Sequence, residues 1–170
     1  VKCLLSAGTG FNNDASVTMQ SLVGTATSVF TFDAPVMSTV TTHNGPQSGN
    51  AGVTIYGYNL GSGNFSPSAT VGGTICSTAI WQTSTSVVCS LPQGTEQSHN
   101  LILTVGAMVA TFQELFSYDA PAISFTQLYN MPTTAGGQVT MEGLNFASTD
   151  YTPSVRIQGT VCTTTSWSTS

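Results

Sequence analysis

The chain has 170 residues, 40% hydrophobic but only 5% charged, with two Lys+Arg against seven Asp+Glu and a net charge of −5. Disorder is excluded, because disordered chains combine low hydrophobicity with high charge. A nucleic-acid partner is excluded as well, because Lys2 and Arg156 cannot neutralise a run of phosphates. No apolar run approaches the roughly 20 residues that cross a bilayer, so no direct membrane segment is expected. The opening Val1, Lys2 and Cys3 carry neither Met nor a signal-peptide pattern, and a processed piece of a longer protein is expected. Along the chain, Val53–Leu60 alternates and is rich in β-branched and aromatic residues, which predicts a strand. Ala69–Val71 and Thr74–Cys76 flank Gly72 and Gly73 and predict a hairpin or bulge. Ser86–Leu91 predicts a strand stopped by Pro92, and Leu101–Val105 and Val109–Tyr118 predict two more around Gly106 and Ala107. Helical periodicity is nearly absent; the best local stretch, Ala110–Leu115, is short and lies in a β context.

The chain also repeats itself. An offset of 86 residues carries Cys3 onto Cys89 and Cys76 onto Cys162, and it superposes residues 1–84 on 87–170 without a gap. The same offset matches Trp81 with Trp167 and Asp33, Ala34 and Pro35 with Asp119, Ala120 and Pro121. Pro46, Gly57, Asn59 and Gly73 meet Pro132, Gly143, Asn145 and Gly159, and roughly a third of all aligned positions are identical. Matches concentrated at Cys, Trp, Gly and Pro mark a structural repeat. Proline stops a strand, so the two Asp-Ala-Pro sites read as junctions. The expected division is a C-terminal part of a preceding module at 1–35, a complete module at 36–121 and an N-terminal part of a following module at 122–170. Each partial module would leave open edges and an apolar face in need of a neighbour.

Short strands about ten residues apart, with Gly, Pro and Asn between them, predict an all-β sandwich. The particular pattern resembles the IPT/TIG family of immunoglobulin-like domains. A Pro opens the module at Pro35 or Pro121, and a Gly-rich approach leads into Val53–Leu60, matched by Val139–Phe146. Gly73 to Cys76, a Trp-containing linker and Val88 to Pro92 resemble the family's two-cysteine stretch. The resemblance spans the whole chain and implies tandem immunoglobulin-like β-sandwich modules. Family members include receptor ectodomains, large cell-surface proteins, accessory domains of polysaccharide enzymes and transcription factors. The last group contacts DNA through basic loops that are missing here.

Four cysteines are the first candidate site. Cys76 and Cys89 lie 13 residues apart on strands able to run side by side, and a disulfide between them would contribute about 3 kcal/mol by restricting the unfolded chain. Reduced buried thiols and a zinc site are the competing readings, and zinc asks for closer Cys/His pairs. The repeat leads to the expectation that Cys162 pairs with the equivalent of Cys3 in a neighbouring copy. Asn64, Phe65 and Ser66 form the one N-glycosylation sequon, set in a Gly/Ser loop. Its counterpart is Asp150, so a glycan there would not recur in the next repeat. The Thr83–Ser86 and Thr163–Ser166 runs suit either O-glycans or solvated strand faces. Trp81 and Trp167 suit core packing beside the disulfide, a carbohydrate-stacking platform or an inter-module contact. Asp33 and Asp119 suit a junction hydrogen bond or, without further carboxylates, a calcium site. His43 and His99 fall in Asn/Gly-rich loops with Tyr129 and Asn13 as repeat counterparts, and no nucleophile stands beside a base. No enzyme activity, cofactor or metal is therefore expected.

The expected function is a structural repeat unit of an extracellular filament or stalk, with modules joined end to end through self-association or continuation along one array, and with covalent glycans. The alternatives are a ligand-binding or adhesive receptor ectodomain and an accessory domain of a polysaccharide-acting enzyme. A specialised binding loop usually enters as an insertion, which the gapless repeat does not contain.

Overall fold

The computed structural model describes residues 1–134, 136–163 and 165–168. Fifteen strands run in chain order among them. They are β1 (Asn13–Met19), β2 (Leu22–Phe30), β3 (Val36–Val40), β4 (Asn44–Gly45), β5 (Gly52–Tyr58), β6 (Ser68–Val71), β7 (Thr74–Ile75) and β8 (Thr78–Thr83). After these come β9 (Ser86–Ser90), β10 (His99–Val105), β11 (Met108–Tyr118), β12 (Ala122–Thr126), β13 (Met141–Leu144), β14 (Arg156–Ile157) and β15 (Thr160–Val161).

Alternation builds the core. In β5, Val53 and Ile55 point inward while Tyr56 and Tyr58 face solvent, as a period of two requires. Val87 and Cys89 of β9, and Leu101, Leu103 and Val105 of β10, follow the same rule. Two sheets share this core: a four-stranded one in the order β3-β5-β9-β8 and a five-stranded one in the order β4-β11-β10-β6-β7. All their pairings are antiparallel except β4 with β11. The result is an all-β sandwich over residues 36–118, with no helix among the described residues.

Tight turns and one edge strand refine the sequence-based picture. Gly72 and Gly73 join β6 to β7 with φ of 58° and 83°, the left-handed geometry that suits a two-residue hairpin and favours glycine. The Val53–Leu60 segment leaves the strand after Tyr58, because Asn59 turns left-handed at φ 60° and drops Leu60 into the core. The Trp-containing stretch, read from sequence as a linker, is the edge strand β8. Ala110–Leu115 lies wholly in β11.

Outside the sandwich, β1–β2, β12–β13 and β14–β15 are three separate two-stranded sheets. Their local geometry copies the complete module at the 86-residue offset from Cys3 to Cys89. β10–β11 bulges where Glu114 takes φ 51° and its N–H donates to Asn100 Oδ1 at 2.9 Å. β1–β2 bulges at the matching place, with Ser28 at φ 56° donating its N–H to Asp14 Oδ1 at 2.8 Å. Likewise a bulge in β3 faces Gly57, and a bulge in β12 faces Gly143. A side-chain carbon at either glycine would strike a backbone carbonyl, that of Val36 or of Ala122.

Candidate functional site: a sequon loop and two open sandwich faces

Asn64 is exposed in the loop between β5 and β6. Its Oδ1 accepts the Ser66 N–H at 3.0 Å, closing an Asx turn over the sequon. Asp150 makes the same turn in the following repeat, accepting the Thr152 N–H at 2.7 Å. Turn formation therefore needs only the shared oxygen. What distinguishes Asn64 is the amide nitrogen, the atom that N-glycosylation modifies, and among the described residues it makes no hydrogen bond.

Cys76 and Cys89 form a disulfide with Cα atoms 5.8 Å apart. Sequence spacing suggested neighbouring strands, but the bond joins the two sheets instead. Cys76 follows β7 and donates its N–H to Ala69, while Cys89 pairs in β9 with Val53 and Ala79. Trp81 is half-buried against the core and donates its indole N–H to Leu60 O at 3.0 Å. Trp167 repeats this bond to Phe146 O at 2.8 Å. Thr83 Oγ1 lies 2.8 Å from Ser86 Oγ, so these hydroxyls engage each other at the β8–β9 turn. The Thr163–Ser166 run includes Thr164, which lies outside the described residues.

The junction residues form a polar clasp. The Asn44 amide donates to the Asp119 carboxylate, Gln47 Nε2 donates to Asp119 O at 2.8 Å, and the Asp119 N–H donates to Gly45 O at 2.8 Å. Asp119 thus takes the hydrogen-bonding role, and no group of three or more His, Cys, Asp or Glu suited to a metal occurs among the described residues. Asn59 Nδ2 donates to Ala34 O at 3.2 Å and Asn145 Nδ2 to Ala120 O at 3.3 Å, pinning the residue before each junction proline. Tyr118 is buried and donates its hydroxyl to Pro92 O at 3.1 Å. Burial, with a smaller effect of the Tyr151 phenol, holds the Tyr118 pKa above the ordinary tyrosine value. His99, expected in a loop, opens β10; its ring stands edge-on to Tyr118 at 5.5 Å and its Nε2 lies 2.6 Å from Thr95 O. His43 stays in the loop before β4, where its carbonyl accepts the Ser117 N–H.

On the flanks many apolar residues are bare. Met19 is 69% and Leu22 77% exposed on β1–β2, and Ile123 of β12 is 61% exposed. Cys3 is exposed and Cys162 half-buried, both as free thiols.

The sequence matches the IPT/TIG domain over residues 35–118 and again over 121–170. The chain belongs to the IPT/TIG domain family. No curated protein matches it significantly. Among solved structures it is similar to the plexin A4 full extracellular region, at 20% identity and a TM-score of 0.44 over 50% of this chain and 10% of that one. It is similar to SGBP-B from a complex xyloglucan utilization locus in Bacteroides uniformis, at 20% identity and a TM-score of 0.41 over 64% of this chain and 30% of that one. An auxiliary nutrient binding protein from Bacteroides thetaiotaomicron VPI-5482 gives 19% identity and a TM-score of 0.43 over 54% of this chain and 22% of that one. The chain thus spans less than a third of the length of each of these structures.

Within this IPT/TIG repeat, the sequence-level reading missed the Asn44–Gln47–Asp119 clasp and the Asn59 and Asn145 pins. The pins were visible in principle, since both asparagines recur at one repeat position. Gln47 was not, because its counterpart is Thr133. A cleft of about 440 Å³ lies between Ala7–Thr9, Asp33 and the Tyr58–Ser62 loop, where residues 1–35 meet the sandwich.

Proposed function

We propose that this chain is a structural repeat unit of an extracellular filament or stalk, built from IPT/TIG modules joined end to end and N-glycosylated at Asn64. The observation that carries this reading is the contrast between one module with a closed core and two partial modules with the same strand geometry and bare apolar faces. Disulfides persist in oxidising compartments, so the Cys76–Cys89 bond and the sequon both support a place outside the cell or at its surface. Cys3 and Cys162 occupy the repeat positions of Cys89 and Cys76, and each pairs with its complement in a neighbouring copy. Every such bond passes two electrons and two protons to an extracellular disulfide oxidant. Negative-stain microscopy of the native material tests the reading: filaments of serially repeated modules are expected, and a field of small globular monomers would overturn it.

A second reading, a ligand-binding ectodomain, is favoured by the junction cleft and by Tyr58, exposed at its rim. Saturable binding of a soluble ligand, lost on Tyr58→Ala, would select it.

A further inference from the structure

We propose that residues 1–35 of one copy and residues 122–168 of a second copy combine into a further sandwich, in the register that the complete module displays. The proposal rests on the end-to-end reading and supplies its partner and its geometry.

Complementarity comes first. β1–β2 is the repeat of β10–β11, whereas β12 to β15 repeat β3, the end of β5, β6 and β7. By sequence each flank therefore supplies repeat positions that the other lacks, and the counterparts of β4, β8 and β9 form no strand among the described residues. The two flanks do not pair within the chain, since β1–β2 forms a sheet apart from β12–β13 and β14–β15. A second copy is the occupant that offers the missing positions with matching side chains.

The faces fit that occupant. Leu103 and Val105 are 0% and 1% exposed in the complete module, while their counterparts Val17 and Met19 are 45% and 69% exposed. On the opposite flank, Ile157 is 50% exposed where its counterpart Val71 is 2% exposed. Positions that are core in one sandwich thus remain apolar, and unburied, in both flanks. A contiguous apolar sheet face of this kind marks an interaction surface, and an unpaired strand edge templates further pairing.

Register follows from the module itself. β10 meets β6 with Leu101 opposite Val71, Ile102 opposite Thr70, Leu103 opposite Ala69 and Thr104 opposite Ser68. The offset from Cys3 to Cys89 turns these into Ala15 opposite Ile157, Ser16 opposite Arg156, Val17 opposite Val155 and Thr18 opposite Ser154. A slip of one residue would turn Val17 away from the core, so the apolar pattern enforces this pairing. A polar contact adds to it: Asp119 accepts the Asn44 amide in the complete module, and the corresponding residues are Asp33 of one copy and Asn130 of the next. Because the two faces differ, the contact is heterologous and propagates head to tail.

Cysteine cross-linking reads this register directly. Opposed strand residues lie about 4.5–5.5 Å apart at Cα, within disulfide reach. In a Cys3→Ser, Cys162→Ser background, copies carrying Ser16→Cys are mixed with copies carrying Arg156→Cys under mild oxidation. Ser16 repeats Ile102, which lies between the inward residues of β10, so the new thiols point away from the core. The expected result is a covalent dimer at least ~tenfold more abundant than from the slipped pair Val17→Cys with Arg156→Cys. The pair Thr18→Cys with Ser154→Cys gives the same result if either first variant misfolds. Retention of the Cys76–Cys89 bond shows that the central module is folded in each. No dimer above the slipped control, or self-closure of a copy carrying both Ser16→Cys and Arg156→Cys into a cross-linked monomer, would overturn the proposal. Filaments that persist while the cross-link fails would remove this interface but leave the end-to-end reading; loss of both would remove each.

Discussion

The hairpins β1–β2 and β10–β11 have the same pairing geometry and opposite environments. Both run antiparallel with a bulge after the first pair, and both close that bulge by a backbone N–H bonded to an Asn or Asp side chain. Yet Leu103 and Phe116 are sealed in a core, while Val17 and Phe30 are 45% and 41% exposed. Strand pairing and bulge are therefore encoded within some twenty residues of chain, whereas burial requires a second sheet. A β-hairpin alone is marginal in water, so an exposed one with an apolar face gains most from a partner.

Truncating one repeat position in both environments gives the largest effect. Leu103→Ala should cost the complete module about 4 kcal/mol, from lost apolar transfer and the cavity left behind. Val17→Ala, its repeat counterpart, should change the stability of the isolated chain by no more than about 0.5 kcal/mol. Chemical denaturation of the two variants measures the difference, and equal losses would break the comparison. Assembled material should reverse the ranking for Val17, since that residue then becomes core.

Next comes the disulfide. Replacing Cys76 and Cys89 together by Ser should cost about 3 kcal/mol, because their loop of 13 residues is closed in the unfolded state as well. Cys3→Ser should leave the denaturation midpoint of the isolated chain unchanged, as its thiol is free and exposed.

The smallest effect lies at Tyr118. Losing its hydrogen bond to Pro92 O through Tyr118→Phe should cost about 1 kcal/mol at neutral pH. Its raised pKa means that the folded state holds the proton more tightly than the unfolded state. This contribution is complete below about pH 10 and is lost as pH rises through the folded value. Thermal melts between neutral and strongly alkaline pH should show that decline in the parent chain and a weaker one in the variant.

Legibility from sequence followed the physics of each element. β5, β9 and β10 were readable because one face is buried and side chains alternate, and the β6–β7 and β10–β11 turns because glycine marks left-handed backbone. β8 was not, since an edge strand flanked by Thr and Ser carries no alternating signal beyond Ala79 and Trp81. Spacing placed Cys76 near Cys89 but could not say which sheet each belonged to. His99 was misplaced because Ser98 and Asn100 look like loop, while its contacts with Tyr118 and Thr95 are set by tertiary packing. The Asn64 sequon was plain in sequence, but the turn it shares with Asp150 needed the backbone. The bare apolar faces were foreshadowed by the repeat, which led to the expectation of a partial module on each flank.

The most direct test of module completion between copies is amide hydrogen exchange on the assembled material and on the dissociated chain. In the dissociated chain, β10–β11 should be protected and β1–β2 should exchange quickly. In the assembly, both hairpins should be protected to a similar degree, with β14 slowed alongside β1. Rapid exchange of β1–β2 in the assembled material would contradict it.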